Sequence, residues 1–209
     1  MLNLIKITFK IFKSDSNIMY DIKKVIQRSI LVKEKIIKSC INDIQLASDT
    51  MYESIKNGNK IFWCGNGGSA ADAQHMSAEL MGGLVSHKRP PIASIALTTD
   101  TSFITAWTND SDYSTIFSRQ IEGLGNSGDI LIAISTSGNS ENVIKASIAA
   151  KQKKMFSIIL TGSKKSKMID MGNIQICIPS ENTQRIQEAH LLVEHILCER
   201  LEQKFLKNN

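Results

Sequence analysis

From Met19 to Asn57 apolar residues recur at helical spacing: Ile22, Val25 and Ile26, then Ile36, Ile37, Ile41, Ile44 and Leu46, with an interruption near Ser39 and Asn42. The spacing predicts two helices, packed on each other or on a second subunit, with Gly58 closing the last turn. Beyond Gly58 the period changes. Short apolar runs at Lys60–Cys64, Ile92–Leu97, Asp129–Ser135, Met155–Thr161 and Asn173–Ile178 alternate with helical patterns near 70–83, 101–123, 140–153 and 164–171. An amphipathic helix from about Thr183 to Leu206 follows. Strand and helix in alternation predict a parallel five-stranded sheet covered on both faces and joined by right-handed crossovers.

Two strand-to-helix turns stand out against this pattern. Lys60-Ile61-Phe62 leads into Trp63-Cys64-Gly65-Asn66-Gly67-Gly68-Ser69, and a helix-like segment begins at Ala70. A strand that breaks at glycines and restarts as a helix exposes backbone N–H groups beside a helix N-terminus, where anions bind. The second turn, Ser135-Thr136-Ser137-Gly138-Asn139-Ser140, separates an apolar run from a helix beginning at Glu141. Capping explains one serine there, Ser140. Four hydroxyls together point to a neutral cradle for a phosphate dianion. In a parallel sheet both turns lie at the carboxyl ends of strands, where ligands sit.

Gly65, Gly67 and Ala70 also fit the dinucleotide fingerprint G-x-G-x-x-A. That reading requires an acid at the end of the second strand to hold a ribose hydroxyl. Asp100 comes too late for it, so a nicotinamide site is disfavoured.

Composition narrows the class. The net charge of +5 comes from lysines and arginines scattered among acids, which reads as a solvated surface and against a nucleic-acid partner. Cys40, Cys64, Cys177 and Cys198 form no Cys-x-x-Cys pair, so neither a zinc knuckle nor a redox motif is indicated; free thiols in a reducing cytoplasm are expected. Residues 1–18 are apolar but broken by Lys6, Lys10 and Lys13, and read as an appended segment or the product of an upstream start codon rather than a signal peptide. No stretch is long and apolar enough to predict a membrane span.

Further candidates lie on two predicted helices. His75 and Glu79 are four residues apart and share a face; Gln187 and His195, eight apart, lie near one face two turns separated. Taken alone, such histidines are as compatible with a surface or core role as with a ligand role. Glu194 adjoins His195 but points elsewhere, His190 has no assigned role, and His87 sits in a polar loop with Lys88 and Arg89.

Together, Cys64 to Ser69, Asp72-Ala73-Gln74-His75, Glu79-Leu80, Thr108-Asn109-Asp110, Ile116 to Gln120, Ile134 to Ser140, and Arg185-Ile186-Gln187-Glu188 with His195 closely resemble the phosphoheptose isomerase family of sugar-isomerase (SIS) domains. The resemblance runs from Met19 to the C-terminus. It implies a three-layer αβα sandwich, flavodoxin-like, with residues 19–209 as a single SIS domain: N-terminal helices at 19–57 and a sugar-phosphate-binding core at 58–209. The implied reaction is aldose–ketose isomerisation of D-sedoheptulose 7-phosphate to D-glycero-D-manno-heptose 7-phosphate, the first step of bacterial heptose biosynthesis. The implied assembly is a cytoplasmic homotetramer with active sites built from neighbouring subunits.

By matching positions, Ser135, Thr136, Ser137 and Ser140 would hold the phosphate, while Asn66, Gly67, Gly68, Ser69, Asn109 and Asp110 would line the sugar site. His75, Glu79, Gln187 and His195 match the family's site for one zinc ion per subunit, with Glu79 and Gln187 also facing substrate. Glu79 and His195 match its proton-transfer pair. Gln184 stands where some members carry an aspartate, and an amide does not transfer a proton as a carboxylate does. The alternative reading is a non-catalytic SIS protein of the replication-initiator-associating type. Such a protein keeps the loops, but has no evident need for His75, Glu79, Gln187 and His195 together.

Overall fold

A computed structural model describes residues 21–163 and 165–207. The expected N-terminal extension, 1–18, lies outside them. Helix α1 (Ile22–Ser39) starts at an Asp21 cap and breaks at Cys40, and α2 (Ile41–Lys56) follows at once. Gly58, at φ +82°, donates its N–H to Ile55 O and ends α2 in the left-handed turn expected of a glycine there.

Five strands follow: β1 (Ile61–Cys64), β2 (Ser94–Ala96), β3 (Ile130–Ile134), β4 (Phe156–Gly162) and β5 (Ile174–Ile178). All are parallel, in the order β2-β1-β3-β4-β5. Their connections carry α3 (Gly68–Gly82), α4 (Thr101–Asp110), α5 (Ile116–Leu124) and α6 (Glu141–Gln152), and α7 (Thr183–Lys207) ends the described chain.

Alternation along each strand builds two cores. Ile61, Trp63, Ile130, Ile132 and Ile134 face α1, α2, α3 and α7, while Phe62, Cys64, Leu131 and Ala133 face α5 and α6. The result is the expected αβα sandwich. Helices on both faces explain why β1 and β3 read as unbroken apolar runs: every residue in them is buried.

Two expected helices differ. The segment 101–123 is divided into α4, a 3-10 turn at Tyr113–Thr115, and α5. Asp112 divides it, accepting from the backbone N–H and the hydroxyl of Ser114 at 2.8 Å each, so a local side-chain bond replaces helix continuation. Residues 165–171 form turns instead of the helix expected at 164–171. Their N–H groups go to the turn after β3, from Met168 to Gly138 O at 3.1 Å and from Lys167 to Asn139 Oδ1 at 3.0 Å, and Met168 is fully buried.

In this strand order the connections from β1 and β3 leave in opposite directions. Ligands of such sheets bind in the crevice outside the carboxyl ends of those two strands. Both Gly- and Ser-rich turns open there.

Candidate active site

The turn after β1 passes through Gly67 at φ +57°, ψ −119°, a conformation closed to L side chains, before α3 begins. Gly68 contributes in a different way. A Cβ there would stand 3.1 Å from both Cδ and Oε1 of Gln187, so its absence lets α7 bring that amide against the turn. Ser69 Oγ donates to Gln187 Oε1 at 3.3 Å.

Asn66 ties this turn to the second one. Its amide and that of Asn142, in the first turn of α6, exchange two hydrogen bonds of 2.8 Å, and the Tyr113 hydroxyl donates to Asn66 Oδ1 at 2.8 Å. In the second turn Ser140 occupies the N-cap position of α6, yet its side chain makes no capping bond. Its Oγ lies 2.9 Å from Ser135 Oγ, which also accepts from the Gly138 N–H. Ser137 is exposed, Thr136 half-buried and Ser135 buried. The serines therefore organise the turn and one another, which capping alone does not explain.

Across the crevice α3 and α7 form a wall. The Nε2–H of His75 donates to Glu79 Oε1 at 3.1 Å, and the His75 and His195 rings meet edge to face with centroids 5.0 Å apart. The Nδ1–H of His195 donates to Leu191 O at 2.8 Å, which leaves Nε2 as the nitrogen able to accept a proton or a ligand. Gln187 Nε2 donates to Asp72 on the same wall. Asn109 and Asp110 end α4, bonded to each other at 2.7 Å and exposed, four and three residues before Tyr113. Asp100 caps α4 through the Phe103 N–H, so it is not the ribose acid of a dinucleotide site.

Several groups around the crevice escape sequence reasoning. Asp72, Asn142 and Tyr113 each acquire meaning only from partners far along the chain. Burial pushes the Asp72 carboxyl up to about 6, against the pull of His75, His195 and the Gln187 bond. Glu194 is fully buried with both carboxylate oxygens unpaired among the described residues, and burial, then the charge of Asp72, raises it well above the carboxylate range. Arg89 and Glu202 form a buried pair at 3.3 Å. Glu202 accepts the N–H groups of Leu84, Val85 and Ser86, while Arg89 Nη2 donates to Glu79 O at 2.7 Å. The end of α3 that carries Glu79 is thereby clamped to α7.

Two imidazoles, a carboxylate and an amide oxygen are donors that zinc accepts. His75 touches both Glu79 and His195, and Gln187 stands on the same wall, so the set fits the ion in donor type. Among the described residues no three His, Cys, Asp or Glu side chains are already gathered around a common point. Closure on an ion thus requires side-chain rotation, including release of the His75–Glu79 bond. Among the described residues no helix is long and apolar enough to cross a membrane.

Residues 26–162 match the family model of the SIS domain. The phosphoheptose isomerase of Aromatoleum aromaticum is 45% identical over 186 residues, covering 88% of this chain and 93% of the relative. Solved phosphoheptose isomerases from Neisseria gonorrhoeae (TM-score 0.80, 40% identity) and Francisella tularensis (TM-score 0.84, 38% identity) each cover 87% of this chain and 96% of their own. With its two turns joined at the β1/β3 crevice and its His–Glu–Gln–His wall, the chain belongs to the phosphoheptose isomerase family of SIS-domain proteins.

Proposed function

We propose that this protein isomerises D-sedoheptulose 7-phosphate to D-glycero-D-manno-heptose 7-phosphate, opening a route to bacterial heptose. The observation that carries the reading is the meeting of Glu79 and His195, through His75, on a wall beside a hydroxyl-rich turn at a helix N-terminus. The turn Ser135–Ser140, with Thr136 and Ser137, holds the phosphate. Asn66, Gly67, Gly68, Ser69, Asn109, Asp110 and Gln187 line the sugar site.

Ketose-to-aldose conversion moves one proton from C1 to C2 and another from O1 to O2. Glu79 takes the C1 proton while His195 Nε2 gives a proton to O2, which yields an enediol. Glu79 then returns its proton to C2, and His195 recovers one from O1 as the aldehyde forms. The Leu191 carbonyl keeps His195 Nε2 directed to this exchange. One zinc ion per subunit would be held by His75, Glu79, Gln187 and His195 and would polarise the carbonyl when bound; because His195 Nε2 cannot hold the ion and carry a proton at once, Glu79 and His195 would have to leave the ion for the proton transfers.

The reading carries a cytoplasmic homotetramer with sites shared between subunits. Support comes from four free thiols and from α1, which leaves Ile22, Ile26, Ile30 and Ile37 exposed. A non-catalytic SIS regulator would need the fold and turns, but not a paired base and acid.

Glu79→Gln removes the base and keeps the shape. Its kcat is expected to fall by about 10²–10⁴-fold, with the melting temperature near that of wild type. An active Glu79→Gln protein would remove Glu79 from the mechanism.

A further inference from the structure

We propose that Asp72 is a positioning residue that fixes which end of the Gln187 amide faces the site. The proposal rests on the reading above in taking Gln187 as a site residue. Asp72 lies on α3 three residues before His75 and seven before Glu79, on the same helical face. It is buried.

Gln187 is held at both ends. Its Nε2 donates to Asp72 Oδ2, and its Oε1 accepts from Ser69 Oγ at 3.3 Å. The two contacts differ in what they permit. A hydroxyl donates or accepts, so Ser69 tolerates either end of an amide. An ionised carboxylate only accepts, so Asp72 admits the NH₂ end alone and excludes the flipped amide. The bare Cα of Gly68 leaves the Gln187 oxygen room beside the turn. Asp72 therefore keeps an acceptor, rather than a donor, at the point where a substrate hydroxyl or a cation is received. Partners of this kind behind a ligand are worth about 10–100-fold in metal affinity or activity.

The test uses the full chain as wild type, Asp72→Asn, Gln187→Glu and the double variant. For each, kcat and KM for sedoheptulose 7-phosphate, zinc affinity by chelator competition and melting temperature are measured. In Asp72→Asn the substituted side chain offers both a donor and an acceptor, so the Gln187 amide is free to flip; kcat and zinc affinity are expected to fall about 10–100-fold at an unchanged melting temperature. In the double variant the amide introduced on α3 donates to one oxygen of the carboxylate introduced on α7, and the other oxygen faces Ser69, so most of the loss is expected to return. A merely structural Asp72 gives no such rescue.

Wild-type kcat and zinc affinity in Asp72→Asn, or a double variant as poor as the product of the single losses, would overturn the proposal. Should Asp72→Asn fail to fold, the double variant must fold and turn over, and its failure would likewise overturn it. A wild-type protein that does not isomerise the substrate overturns the functional reading instead, and the four zinc affinities then decide the role of Asp72.

Discussion

His190 is fully buried, with its Nε2–H on the Thr161 carbonyl at 3.2 Å and no partner for Nδ1 among the described residues. Burial pulls its pKa down from 6.5 to about 4, against the Thr161 bond. The folded state thus prefers the neutral ring. Its contribution is fully present above pH 6.5 and is lost as pH falls toward 4, because only the unfolded chain takes up the proton in that window. The loss is about 3 kcal/mol. Asp72 and Glu194, both raised in the fold, oppose this trend, but they are common to wild type and variant. His190→Gln should therefore lose less melting temperature than wild type between pH 6.5 and 4; parallel curves would show that His190 is not the acid-sensitive group. At this scale His75 with Glu79, and Gln187 with His195, were legible because one helix carries each pair. Asp72 was not, because a lone carboxylate on a helix gives no signal until Gln187 meets it from 115 positions away.

The turn between β3 and α6 joins sequence to function at the level of the element. The hydroxyls of Ser135 and Ser140 lie 2.9 Å apart and share one proton, leaving the other free to donate, whereas Ser137 stands exposed with its Oγ accepting from the Asn139 N–H at 3.2 Å. On the proposed reading, Ser137→Ala removes a phosphate donor without touching the core. A KM several-fold higher at nearly unchanged kcat is expected, since the contact binds ground state and transition state alike. An unchanged KM would take Ser137 out of the phosphate site. β1 and β3 were readable because burial on both faces makes them apolar throughout, while β5 carries Gln175 at a half-buried position between buried isoleucines. Helix periodicity misled at 101–123, where Asp112 diverts the backbone, and at 164–171, where one buried methionine anchors turns to a neighbouring loop. Both failures share a cause. A local apolar pattern records which side chains are buried, not where the N–H groups find their acceptors.

Across the whole molecule, the order β2-β1-β3-β4-β5 brings two turns about 70 positions apart in sequence to one crevice, and α3 and α7 close its side. The Arg89–Glu202 clamp holds the two helices together at the end bearing Glu79. The covered parallel sheet with both turns at its carboxyl ends was legible from strand–helix alternation, but the joining of the turns through Asn66 and Asn142 was not. The exposed apolar residues of α1 lie apart from this machinery and suit a subunit contact. The most direct measurement is NMR of sedoheptulose 7-phosphate incubated with the purified protein, before chelation, after it, and after zinc is restored. Signals of the aldoheptose 7-phosphate should appear, vanish on chelation and return with zinc. No conversion by the folded, zinc-loaded protein would contradict the assigned reaction, and conversion indifferent to chelation would contradict the role of the metal.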